Sequence, residues 1–411
     1  MQVLSATTDG KWLKDLPPPP PPAAGEVTVA RADPAKAEAD RVMTEIFHCD
    51  NLIVLAGLGT SLDVKPVKDG GPKAPTMGDL WTRVEAQTQV EVGMSFADFL
   101  QSVGHPVNDK NIEALLSRCR LAEAFFLDEK KARVSTFVAF AERTIASATD
   151  FIATNQNLPV HEQFLRRLAR RSSRKQRAKL FTTNYDRCFE EAARQARLFI
   201  NDGFSFSVPA TFDASNFNYD IVSRGSDGER QDYIPNLLHL YKVHGSIDWE
   251  RDPDSKEVHK VAKSERPLLI YPRNSKYEMA FEPPYLEMIA AFQNSLRQSN
   301  VGVLIVGFGF NDNHLAEPIL SAVRSNLGLK LVVVGPRLAP YAVADSEAPA
   351  PGEANTNQHL IQLARLARAG DARISLINES FNGLLQYVPD LVADSDREKH
   401  VARLRSLGKV V

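Results

Sequence analysis

His244 closes the run Leu240-Tyr241-Lys242-Val243 and is followed by Gly245 and Ser246. An apolar run broken by glycine reads as a strand ending in a turn. A histidine there points out of the sheet edge where open α/β folds collect their ligands. With an ordinary pKa of about 6.5, it can take a proton from a hydroxyl or a water near neutrality. Three other stretches have the same placement. Gly57-Leu58-Gly59-Thr60-Ser61 follows the apolar run NLIVLA, and its glycines permit a tight turn and a close backbone approach to a pyrophosphate. Thr182-Thr183-Asn184-Tyr185-Asp186 follows AKLF, and an Asn and an Asp two positions apart can turn polar groups into one crevice. Gly307-Phe308-Gly309-Phe310-Asn311-Asp312 follows VGVLIV.

Each stretch also has a plainer reading. His244 can be a half-buried structural histidine, as His259 and His314 are read to be. Asn and Asp cap helices well, and GLGTS lacks the third glycine of a dinucleotide fingerprint, with Leu62 in its place. The shared position decides between them. All four stretches lie just past the carboxyl end of a predicted parallel strand, so they converge on one edge, as a single nucleotide site requires.

The elements that must hold these residues alternate in type. Short apolar runs separated by helical stretches argue for a Rossmann-like, doubly wound parallel sheet covered on both faces, an α/β fold. Between residues 76 and 171, FADFLQSV, NIEALLSRCRLAEAFF and ARVSTFVAFAERTIASA carry apolar residues at three- and four-residue spacing. This block reads as a helical subdomain inserted into a main domain spanning 36–390. Residues 1–35 contain six consecutive prolines and read as a disordered arm, and 391–411 as a tail. Residues 200–236 read as irregular.

Composition narrows the function class. The 411 residues include 43% hydrophobic and 24% charged, and the formal net charge is −2, so no global basic field advertises nucleic acid. The local run RRLARRSSRKQRAK at 166–179 reads as a solvated helix face. Cys49, Cys119 and Cys188 are widely separated. They exclude a four-cysteine zinc site, argue against a disulfide framework, and suit a reducing cytoplasm. No membrane span or signal peptide is expected.

The ordered set GLGTS, TTNYD, HG and GFGFNDNH resembles the sirtuin family, over roughly residues 50–335. In that family such turns build an NAD pocket around a catalytic His-Gly. Two departures stand out: the zinc ribbon is missing, and Ser61 runs on into LDVKPVKDGGP. The pattern is similar to the zinc-less sirtuin-like NAD hydrolases of bacterial anti-phage defence, as are NIEALLS and YPRNSKY. The resemblance implies catalytic roles for Asn184, His244 and Asp186. It implies dinucleotide contacts from Gly57, Leu58, Gly59, Thr60, Ser61, Thr183, Gly307, Phe308 and Asn311. NAD would be the substrate, with no zinc, and the assembly a homo-oligomer partnered by a HerA-type ATPase. The alternatives are an NAD-dependent protein deacylase and a non-catalytic subunit that binds NAD or ADP-ribose.

Overall fold

A computed structural model of the chain describes residues 1–17, 32–68, 70–153, 155–172, 175–224, 231–264, 266–270, 283–338 and 357–391. Among the described residues, nine strands form the main sheet. In chain order they are β1 (Gln2–Leu4), β2 (Leu13–Lys14), β3 (Asn51–Ala56), β4 (Lys179–Thr182), β5 (Phe199–Asn201), β6 (Leu237–Lys242), β7 (Val301–Val306), β8 (Leu329–Val334) and β9 (Ile374–Asn378). Their order across the sheet is β2-β1-β9-β8-β7-β3-β4-β6-β5. The seven strands from β9 to β5 run parallel, and β1 and β2 add an antiparallel edge.

Both faces of the sheet are apolar, and the sequence alternates between them. Leu52, Val54 and Ala56 pack with α1 (Pro34–His48), α6 (Pro159–Ala169) and α7 (Cys188–Ala196). Ile53 and Leu55 pack on the opposite face with α8 (Tyr285–Leu296), α9 (Asn313–Ser325) and α10 (Gln358–Arg368). Such two-sided burial is what a parallel sheet demands. A separate cluster builds the helical subdomain from α2 (Met77–Val92), α3 (Phe96–Ser102), α4 (Ile112–Phe125) and α5 (Asp128–Thr149), with Phe99 and Phe137 stacked 3.9 Å apart. A short last helix, α11 (Phe381–Leu384), closes the first face. No helix among the described residues is long and apolar enough to cross a membrane.

Four expectations change. The first residues are not a disordered arm: β1 pairs with β9, and Val3 and Leu4 are wholly buried. The prolines from 18 onward lie outside the described residues, as do 392–411 of the expected tail and the YPRNSKY stretch. The helical subdomain ends at Thr149, because Phe164, Leu165 and Leu168 of α6 belong to the main core. Within 200–236, short strands form. Ala210–Thr211 joins Trp249–Arg251 and Val258–Lys260 in a small antiparallel sheet, and Val222–Arg224 pairs with Gln231–Tyr233. The basic run at 166–179 does structural work along with its solvated groups. The buried Arg171 guanidinium donates to the carbonyls of Phe47, Cys49 and Asp50 just past α1, at 2.6 to 3.0 Å, and burial lowers its pKa to about 10.

The edge pair gives a direct test. Leu4→Ala empties a fully buried position and should cost about 2–5 kcal/mol in urea unfolding. An unchanged midpoint would return residues 1–17 to the status of a dispensable arm.

Candidate functional site

Strand register brings the four stretches together. Val306 pairs with Ala56, Ala56 with Thr182, and Thr182 with Lys242, so four strands end on one line. The ladder runs one residue further: the N–H groups of Gly57, Thr183 and Val243 donate to the carbonyls of Val306, Ala56 and Thr182 at 3.0 to 3.1 Å. The chain leaves β3 toward β4 on one side, while β7 flanks it on the other. Ligands of open α/β sheets bind at such a switch in strand order.

At that switch the turns after β3 and β7 touch backbone to backbone. A Cβ on Gly57 would lie 2.6 Å from the Gly307 oxygen, and one on Gly59 would lie 2.6 Å from the Gly307 Cα. Gly307 itself has φ +63°, and a Cβ there would meet the Thr60 nitrogen at 2.7 Å. The Gly59 N–H donates to the Gly307 carbonyl at 2.9 Å. Beyond, Phe310 sits at φ 56° with its side chain fully buried, and the Asn357 side chain donates to the Gly309 and Phe310 carbonyls at 3.2 and 2.9 Å. The loop is therefore clamped from both ends.

Buried polar side chains tie the second turn to the first. The Asn184 Nδ2 donates to the Gly57 carbonyl, the Thr60 hydroxyl and the Ser61 hydroxyl at 3.1, 3.1 and 2.9 Å. Ser61 in turn donates to one Asp186 oxygen at 2.7 Å, and the other Asp186 oxygen accepts the Cys188 N–H at 3.0 Å, capping α7. The buried Lys242 ammonium donates to the Asp186 carbonyl at 2.5 Å and to Glu190 at 2.8 Å. The Tyr185 hydroxyl donates to Glu113 of α4 at 2.9 Å, with the Ile270 carbonyl as a second acceptor within reach at 3.2 Å, fastening the helical subdomain to the sheet edge.

These turns enclose a cavity of about 250 Å³. Asn184, Tyr185, Asp186, His244, Leu58, Thr183, Gly307, Phe308 and Asn311 line it, with Glu113 and Asn111 on the wall supplied by the helical subdomain. Gly57, Gly59, Thr60 and Ser61 do not line it. They form the layer beneath, where the N–H groups of Gly57, Gly59, Thr60 and Ser61 donate to the carbonyls of Val306, Gly307, Gly57 and Leu58. In this structure they shape the floor, and the positions of the turn region that line the cavity are Leu58, Gly307, Phe308, Gly309, Asn311 and Asp312. His244 is 2% exposed, and burial pulls its imidazole down to about 3, so the ring is uncharged at neutral pH. Its Nε2 lies 3.0 Å from the Nε2 of His314, the second residue of α9. The expectation that His314 is merely structural missed this contact. Its place in the first helical turn after GFGF was the available signal. Glu113 and Tyr185 were missed because they meet only in three dimensions.

A wider cleft of about 1020 Å³ lies behind the cavity wall, lined by Arg120, Glu123, Glu142, Arg187, Arg251 and Arg266 among others. It is larger, but Arg120 is committed to Glu123 and Glu142, and Arg187 to Asp150. None of the four strand-end stretches lines it; only the residues just after two of them, Arg187, Ile247 and Asp248, do, so the smaller cavity is the candidate site. The three cysteines are buried, free and apart.

Gly307→Ala tests the turn-on-turn contact. The left-handed backbone alone costs about 1–2 kcal/mol, and the backbone clash adds to it. Thermal unfolding should fall accordingly, with loss of ligand binding in the cavity. Wild-type stability would show that the two turns have room to part.

Comparison with known proteins adds a family description for part of the chain. No curated protein matches it. Among solved structures, a Sir2 homologue carrying a serine-to-alanine change, in complex with ADP-ribose, is 16% identical over 80% of this chain and 96% of that one, with a TM-score of 0.33. A Sir2 histidine-to-alanine variant with a deacetylated p53 peptide and 3′-O-acetyl ADP-ribose is 14% identical over 80% and 98%, with a TM-score of 0.27. Residues 178–361, which hold the Asn184, His244 and Gly307 turns, match the family model of the SIR2-like domain.

Proposed function

We propose that the chain is an NAD hydrolase that cleaves the nicotinamide–ribose bond to give nicotinamide and ADP-ribose. The observation that carries this reading is the meeting of Asn184 and His244 in one cavity at the strand-order switch, inside the segment that matches the SIR2-like domain. The cavity's 250 Å³ suits the nicotinamide-ribosyl end of a dinucleotide, with the rest running out along Phe308 and Asn311.

The chemistry asks little acid of the protein. The nicotinamide ring is cationic in NAD, so when the C1′–N bond breaks the electron pair returns to nitrogen and the ring leaves neutral. The ribose passes through an oxocarbenium-like state, as in glycoside hydrolysis. Water attacks C1′ and loses a proton to His244. Asn184, with Nδ2 held by the floor, offers Oδ1 to orient that water or a ribose hydroxyl. Asp186, with both oxygens engaged by Ser61 and Cys188, holds the turn in place instead of reacting.

The same reading extends to the setting. Free NAD hydrolysis would poison its host, so the resting enzyme is restrained to a low but measurable turnover. We place that restraint in assembly: a homo-oligomer, activated in anti-phage defence by a second component such as a HerA-type ATPase that binds the competent state more tightly.

The test is the purified chain with NAD, followed by chromatographic separation of nicotinamide and ADP-ribose, with and without an acylated lysine peptide. Nicotinamide release without peptide is expected, falling about 10²–10⁴-fold in His244→Ala and Asn184→Ala. Release only with acyl-peptide would make the chain a deacylase, and tight NAD binding without any turnover would make it a regulatory subunit.

A further inference from the structure

Two imidazoles seventy positions apart in sequence meet at the cavity. The rings of His244 and His314 have centroids 5.1 Å apart and planes 35° from parallel, with Nε2 to Nε2 at 3.0 Å. Two ring nitrogens at that distance share one hydrogen: two bare lone pairs repel, and so do two N–H groups. His244 is buried and uncharged, whereas His314 is only partly buried. The groups around the pair are Tyr185, 6.4 Å from His244 and bonded to Glu113, and Tyr285, 6.2 Å from His314, with Asp312 just ahead of His314 in the chain.

The deep burial of His244 raises a difficulty for its role as a base. A ring that resists charge accepts a proton poorly unless the charge moves on. We propose that His314 is the positioning residue that solves this. It accepts the Nε2–H of His244, fixing the tautomer that leaves Nδ1 bare for the substrate side, and it takes the proton onward during turnover. This rests on the NAD-hydrolase reading. In the step, the attacking water's O–H breaks as His244 Nδ1–H forms. His244 Nε2–H breaks as His314 Nε2–H forms, and the C1′–N electron pair departs with nicotinamide. The positive charge thus rests on His314, the more exposed ring; once nicotinamide has left, the His314 Nε2–H returns to His244 Nε2 and the His244 Nδ1–H is lost to water, which restores the starting tautomer. The second ring nitrogen's hydrogen bond sets which nitrogen of a histidine reacts.

Two readouts test the proposal on the full chain. The first needs no turnover: ¹⁵N spectra of histidine-labelled protein. Wild type should show His244 neutral at pH 7 in the single Nε2–H tautomer, and His314→Phe should release it to a mixture. The second is NAD turnover. His314→Ala should lower kcat about 10²-fold with KM little changed, and added imidazole should restore a measurable part. His314→Gln, whose amide oxygen can accept the hydrogen, should keep more activity than His314→Phe and guards against a variant that fails to fold. An unchanged His244 tautomer in His314→Phe would overturn the proposal. So would full activity of His314→Ala, loss that neither imidazole nor Gln relieves, or a stoichiometric metal ion held between the rings. If wild type does not cleave NAD, the hydrolase reading fails, and the tautomer spectra still decide whether His314 sets the state of His244.

Discussion

The site depends on one steric constraint: the turns after β3 and β7 must touch through their backbones. Gly57, Gly59 and Gly307 leave no room for a Cβ at that contact. Because those turns interlock, the carboxyl ends of β7, β3, β4 and β6 stay level, and Asn184 and His244 rise from the same line. A side chain at any of the three glycines would spread the switch point and lower the floor of the cavity. These glycines therefore act first as packing.

On that floor, polar burial is made tolerable by saturation. Unpaired buried polar groups cost about 1–3 kcal/mol each, and here each has a partner. Asn184 bonds to Ser61, Ser61 to Asp186, and Asp186 to the first turn of α7. The Lys242 ammonium gathers the backbone carbonyl of Asp186 and the carboxylate of Glu190. Such a network fixes the orientation of Asn184. Tyr185 and Glu113 extend it into the helical subdomain, whose Met77, Leu80, Asn111 and Glu113 line the cavity directly, so movement of that subdomain reaches the cavity wall.

Much of this was legible in the sequence, because it rests on short-range signals. Apolar runs ending in glycine or in Asn and Asp marked strand ends, and parallel topology alone brings strand ends together. The doubly wound sheet follows from the same pattern. Other features rest on contacts that no local period reveals. β1 is three residues long, too short to show alternation, and the neighbouring prolines dominated its reading. The glycines of 57–61 carried a phosphate-binding look, while their packing partner lies far along the chain. Arg171 looks like one more solvated cation, yet it is buried against carbonyls just past α1. His314 sits among Asn and Asp residues that resemble an ordinary helix cap, and only the fold shows that it faces His244.

The central claim is that the cavity at the strand-order switch is where the nicotinamide end of NAD is held. A crystal structure of Asn184→Ala with NAD tests it most directly, since the substitution slows turnover and leaves the His244 side of the cavity intact. The account predicts the nicotinamide ribose beside His244 and the pyrophosphate along Phe308 and Asn311. NAD lying in the charged cleft between Arg120 and Arg266, with the smaller cavity empty, would contradict it.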